Sequence, residues 1–262
     1  MGSFDILHGY SESLEKLLRL KTYPLAVKLL EREEDIPEGA KRPKRDYGYR
    51  FITCQGFSES RKAGVTIAQT KDDMWCFEAA LGYGFIEPNE YFLKGNTRVP
   101  EKIISNWEAA QYWAERFPRL EYGKYAAIVT APLAKANFEP DVVMMYTDSA
   151  QLTQLLLARI WIDGRDITSR LSGMGACVMG VTPVIQTGEC QVASPCPGDR
   201  NRASAQDNEL IFSAPLEKVA ELINGLEHFK KSGVIPFVPN LPQQPKMLPS
   251  YMEMAKKYGW LD

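Results

Sequence analysis

Two uninterrupted apolar segments, residues 125–131 (YAAIVTA) and 141–147 (DVVMMYT), constrain the fold more than any other feature. Both are of strand length, and neither alternates polar with apolar residues as a strand with one wet face does. Each is expected to be a strand covered on both sides. Residues 24–30 (PLAVKLL), 65–70 (VTIAQT) and 209–213 read as further strands. Helix signals lie between them. Leu14, Leu17 and Leu18 share one face within residues 11–21, and residues 76–81 close at Gly82. Ile103, Trp107, Ala110 and Ala114 recur at helical spacing before Pro118, which stops the helix. Asp148 or Ser149 is placed to cap a helix that buries Leu152, Leu155, Leu156 and Ile160 and ends at Gly164. Pro215 suits a first helical turn ahead of the stripe Val219, Leu222, Ile223 and Leu226. The expected fold class is α/β (α+β).

Composition excludes several partners. Lys and Arg number 31 against 33 Asp and Glu, a net charge of -2, so no global basic field exists to hold a nucleic acid. The basic run at residues 41–45 (KRPKR) reads as part of a solvated loop over residues 31–49, balanced by Glu31, Glu33, Glu34 and Asp35. No apolar run approaches the ~18 residues of a membrane helix. Residues 1–10 lack the basic start and apolar stretch of a secretory signal, so the expectation is a cytoplasmic protein with no membrane partner.

The chain also echoes itself. A strand after Pro24, then Cys54, then Cys76 matches a strand after Pro140, then Cys177, then Cys196. A glycine before a short strand repeats at Gly64 and Gly188. Residues 91–93 and 99–103 are matched in this reading with 210–212 and 214–219. The implied organisation is two similar halves, residues 1–120 and 121–233, related by a pseudo-twofold and packed face to face. Residues 234–262 form a third piece, in which Pro236, Pro239, Pro242 and Pro245 favour an extended arm before a short helix holding Tyr251, Met252 and Met254. Such an arm suits a homodimer contact.

The repeat pairs four of the five cysteines and leaves Cys190 without a counterpart. Two histidines, His8 and His228, rule out a three-histidine metal site. In a reducing compartment the cysteines are thiols or metal ligands rather than disulfides. Cys54, Cys76, Cys177 and Cys196 are therefore the candidate ligands, and two readings stand. Either they hold an inorganic centre between the halves, or they are small buried hydrophobes in a metal-free or zinc-bearing binding module. Single ligands far apart in the chain suit a 4Fe–4S cluster better than a zinc knuckle, and the Cys196-Pro197 pair also permits a haem thiolate. Trp75 and Phe77 are expected to shield Cys76 from water. In the turn after Cys196, Gly198, Asp199 and Arg200 are candidates for a small anionic ligand, with Arg200 as a two-pronged clamp. The segment Gly173–Cys177 lacks the third glycine of a dinucleotide loop, because Val178 stands there.

The sequence resembles the prokaryotic family called domain of unknown function 169. The resemblance is carried by residues 24–28 (PLAVK), Cys54, Cys76 with Gly82, residues 131–133 (APL) and 140–143 (PDVV), Ala176-Cys177, Thr187-Gly188 and residues 194–200 (SPCPGDR). Members are frequent in anaerobes, which fits an oxygen-sensitive cluster; a redox partner protein is a separate expectation for a chain that carries one. The family brings no established reaction, and whether the chain is an enzyme stays open.

Overall fold

A computed structural model describes residues 3–233 and 247–261. The four prolines of the expected arm lie outside the described residues. Six strands form one sheet: β1 (Leu25–Leu30), β2 (Ile67–Thr70), β3 (Ala127–Pro132), β4 (Val142–Thr147), β5 (Gln191–Ala193) and β6 (Leu210–Pro215). Their order is β2-β3-β1-β4-β6-β5, and every pairing is antiparallel. Eleven helices accompany them among the described residues: α1 (Ser3–Leu18), α2 (Thr53–Ser58), α3 (Phe77–Gly82), α4 (Glu90–Leu93), α5 (Trp107–Glu115), α6 (Ser149–Asp163), α7 (Ala176–Met179), α8 (Thr182–Thr187), α9 (Pro197–Ala203), α10 (Leu216–Ser232) and α11 (Pro249–Lys257).

The continuous apolar strands have the expected cause. Residues alternate between two cores. Leu25, Val27, Ile128, Val142, Met144, Tyr146 and Ile211 face one side. Ala26, Leu30, Val129, Val143, Met145, Phe212 and Ala214 face the other. On this second side the sheet is covered by the apolar stripes of α1, α6 and α10, through Leu14, Leu155 and Leu222 among others. The first side is covered by the short helices α3 and α7 and by the loops between them. Both faces are dry, so an antiparallel sheet here carries the unbroken apolar pattern more usual in parallel ones.

Several details depart from expectation. Helix α1 begins at Ser3, because Leu7 continues the buried stripe toward the N-terminus, and Ser11 sits mid-helix with its hydroxyl donating to Glu15 (2.8 Å). Helix α5 begins only at Trp107, where Asn106 Oδ1 accepts the Ala109 amide (2.9 Å), so Ile103 lies in a turn before it. The basic run is only partly solvated. Arg42 Nε donates to the buried Asp73 (2.6 Å), and Pro43 is buried.

The proposed repeat is partly mis-registered. Residues 91–93 are helical and 99–103 are turns, whereas residues 210–212 and 214–215 belong to β6. The counterpart of β6 by position in the sheet is β3, and both end in Ala-Pro before a leucine, at 131–133 and 214–216. Outward from the β1/β4 seam, β3 then β2 on one side is mirrored in chain order by β6 then β5 on the other. The sheet runs across the 120/121 line, since β3 pairs with β1 and β2.

Candidate functional site

Four of the five cysteines sit at the start of a short helix. Cys54 is the second residue of α2, Cys177 the second of α7, and Cys76 and Cys196 are the residues capping α3 and α9. Local sequence explains each position. Pro197 opens α9 without wasting an amide proton. Gly175, at φ +65°, makes the left-handed turn into α7, where a Cβ would stand 2.8 Å from the Phe117 ring. Gly82 lets α3 lie directly on α7, since a Cβ there would meet both methyls of Val178.

The fold brings these four thiols together in pairs that cross the chain. Helix α2 packs on α9, joining Cys54 to Cys196, and α3 packs on α7, joining Cys76 to Cys177. The neighbouring thiols shift the ionisation of Cys54, Cys76 and Cys177. Cys76 is lowered from its ordinary value, first because the Cys177 thiol hydrogen-bonds to it, and also because the Ala79 and Thr53 amides point at its sulfur. Cys177 is raised well above the ordinary thiol range by that same bond, then by burial, then by Cys76, Cys54 and Cys196. Burial first, then Asp199, Cys196 and Cys76, pushes Cys54 up. Cys190 stands apart in the core on the other face of the sheet, and its thiol is pushed up to about 11 by burial.

Of the anion-site residues, Gly198 lies beside Cys196, but Asp199 and Arg200 diverge. Asp199 is buried and accepts the Tyr146 hydroxyl (3.1 Å). Arg200 turns outward to the Gln206 carbonyl (2.6 Å) and Asp207 (3.7 Å), so the expected clamp is already engaged by its own chain. The aromatic shield is also absent: Trp75 and Phe77 are 58% and 61% exposed. Aromatic residues flanking a capping cysteine point outward when only the helix's later residues, Ala79 to Leu81, face the core.

Sequence reasoning missed the polar groups behind the thiols. Arg61 is almost wholly buried, forms two hydrogen bonds to Glu209 (2.9 and 3.1 Å), and lies 3.8 Å over the Tyr146 ring. Tyr83, wholly buried, donates to the Cys177 carbonyl (3.1 Å). Gln69 Nε2 is buried without a hydrogen-bond partner. No local pattern marks these residues, because Arg61 and Glu209 lie 148 positions apart. A lone arginine in an exposed-looking ESRKA stretch carries no sign of burial.

Comparison with known proteins bears on the family. The model of the DUF169 family, described as uncharacterised ArCR, matches residues 13–225. The chain belongs to this family. The family match spans all four clustered cysteines and every strand of the sheet. An uncharacterised protein of Methanocaldococcus jannaschii is similar to this DUF169 chain, 25% identical over 223 residues, covering 84% of this chain and 94% of that protein. No solved structure matches.

For a metal, the donor chemistry of the four cysteines fits an iron–sulfur cluster: four sulfurs, of which Cys54 and Cys177 are buried and Cys76 and Cys196 partly exposed, with two backbone amides aimed at one of them. Among the described residues, no three His, Cys, Asp or Glu side chains are already arranged to hold a single metal ion. Binding any metal here would release thiol protons. No helix of the described residues is long and apolar enough to cross a membrane.

Proposed function

We propose that this DUF169 protein is an iron–sulfur protein in which Cys54, Cys76, Cys177 and Cys196 hold one 4Fe–4S cluster for a redox role. The observation that carries the reading is the meeting of four thiols from four separate helix starts, while the fifth cysteine is left on the opposite face. Bound there, the cluster supplies one-electron chemistry. The chain's own contribution is to bury Cys54 and Cys177, aim the Thr53 and Ala79 amides at the Cys76 sulfur, and place Tyr83 behind Cys177. The Cys76 edge is flanked by the exposed Trp75 and Phe77, where a redox partner protein docks in this reading. A small-anion role is less well supported, since Arg200 is engaged within the chain.

Protein purified without oxygen is expected to be brown and to carry about four iron and four sulfide per chain. Replacing any of Cys54, Cys76, Cys177 or Cys196 with Ala abolishes the colour, whereas Cys190→Ala keeps it. A colourless preparation that cannot be reconstituted with iron and sulfide refutes the proposal.

One observation favours a metal-free reading, the meeting of Cys76 and Cys177 where α3 packs on α7. These two thiols can form a disulfide, losing two electrons and two protons as an oxidant such as another disulfide is reduced to two thiols. Loss of two titratable thiols on oxidation of iron-free protein, with no iron uptake beforehand, selects this reading. Stoichiometric zinc selects the module with structural cysteines.

A further inference from the structure

Helix α7 has four residues, too few to hold a shape of its own, yet it carries Cys177. Packing alone does not fix it. Gly82 lets α3 lie on Val178, but apolar contact has no preferred direction and leaves α7 free to turn or slide. The Tyr83 hydroxyl supplies the direction, donating to the carbonyl of Cys177 itself (3.1 Å) across 94 positions of the chain. Amides at the end of α7 pass this carbonyl by, since that of Gly180 goes to Ala176 and that of Val181 to Val178.

Tyr83 is itself well fixed. It follows α3 directly, and its amide bonds the Ala79 carbonyl (2.9 Å). Its ring is wholly buried and tilts against Phe85 with centroids 5.8 Å apart. Burial first, then the neighbouring Cys177, Cys76 and Cys54, raises its ionisation well above the ordinary tyrosine value, so the hydroxyl stays a neutral donor. Helix α3 therefore serves two thiols. Cys76 caps its start, and the residue after its end ties down Cys177.

We propose that Tyr83 is a positioning residue for the cluster: its hydroxyl holds the Cys177 backbone so that this sulfur is presented to iron. The inference rests on the iron–sulfur reading above. Residues behind a metal ligand orient it, and their loss weakens binding about 10–100-fold. Removing the hydroxyl leaves the Cys177 carbonyl unpaired and lets α7 turn, so the iron at Cys177 is the first to leave.

The test uses the full chain, reconstituted with iron and sulfide without oxygen and then challenged with excess EDTA. Tyr83→Phe keeps the ring and removes the hydroxyl. It is expected to take up about four iron and to release them at least about tenfold faster than wild type. Release passes through a three-iron cluster, seen by electron paramagnetic resonance after oxidation. Replacement of Tyr83 by 4-aminophenylalanine keeps a donor in place and restores wild-type retention. Ile223→Val, a modest loss of packing in the core on the opposite side of the sheet, leaves iron release unchanged. Equal release from wild type and Tyr83→Phe overturns the proposal, as does release from Ile223→Val as fast as from Tyr83→Phe. Where Tyr83→Phe does not fold, release about tenfold faster than wild type from the 4-aminophenylalanine protein overturns it instead. Wild-type protein that takes up no iron and sulfide refutes the cluster itself, an outcome distinct from a cluster indifferent to Tyr83.

Discussion

Gly82→Ala tests whether close packing of α3 on α7 sets the geometry of the thiol pair. A Cβ at residue 82 would lie 2.4 and 2.6 Å from the two Val178 methyl carbons. Carbon atoms prefer about 3.5–4.0 Å, so the helices must separate by roughly 1 Å. Little can yield. Val178 is wholly buried, and a valine in a helix has one favoured rotamer. The Gly82 carbonyl is pinned by the Leu120 amide (2.9 Å) and the Thr182 hydroxyl (3.0 Å), which limits the retreat of α3. Overpacking of this kind costs about 1–3 kcal/mol. Val178→Ala removes the two clashing methyls and leaves one contact at 3.1 Å, which a small shift relieves. The double variant is therefore expected to be more stable than the sum of the single losses by at least about 1 kcal/mol, measured by urea unfolding of the three proteins. Separation of the helices also weakens the hydrogen bond from Cys177, so the pH profile of Cys76 alkylation in metal-free protein moves upward, as mapped by mass spectrometry. A neutral Gly82→Ala, or energies additive to within about 0.5 kcal/mol, refutes the packing argument.

Three further predictions follow from the groups behind the thiols and from the C-terminal helix. Glu209→Gln leaves the Arg61 guanidinium buried with half its partnership and is expected to cost about 3–5 kcal/mol in urea unfolding; a loss below about 1 kcal/mol contradicts the buried pair. Asp199 is pushed up from 3.8 to about 6 by burial, against the Tyr146 and Arg61 interactions that lower it. The folded state thus holds a proton the unfolded state has released, so stability falls as pH rises from about 4 through 6, by up to about 3 kcal/mol. Asp199→Asn flattens that slope in unfolding curves at pH 4 to 7, and an unchanged slope removes Asp199 as its source. Helix α11 exposes Tyr251 and Met254, and Trp260 just beyond it is 81% exposed; deletion of residues 234–262 is expected to lower the oligomeric state in sedimentation, and an unchanged coefficient refutes an arm-mediated dimer.

Strands and long helices were legible because their signals are local. The double-sided burial of β3 and β4 is written in their unbroken apolar runs, and Asp148 caps α6 through the Gln151 amide (2.9 Å), as its position suggests. The antiparallel order was not legible, since a strand dry on both faces reads alike in either sheet type. Cys76 was singled out correctly as a helix start, but its flanking rings were assigned inward. Helix phase explains the error: Ala79, Ala80 and Leu81 take the buried side of a six-residue helix, which leaves Phe77 in solvent. The Arg61–Glu209 pair was invisible for a different reason. Its meaning depends on a partner 148 residues away, and neither residue carries a local signature of burial.

The same distance argument bears on the thiols. Strands β2 and β5 are the two edges of the sheet, roughly 24 Å apart at about 4.8 Å per strand spacing. Cys54 and Cys76 flank β2 in the chain, and Cys177 and Cys196 flank β5 in the same order. Cysteines tied to opposite edges meet only if the segments beyond both edges fold back over one face toward the β1/β4 seam. The contacts of α2 with α9 and of α3 with α7 show that they do, each contact joining one cysteine from either side. Cysteines serving only as core filler need no such matched placement, and Cys190, on the opposite face, has none. A duplicated half divided between β3 and β4 supplies this pattern directly, since each copy would bring one thiol before and one after its edge strand. In the proposed cluster reading, that order would also account for pairs rather than a compact run in the sequence, since each half would supply two of the four sulfurs.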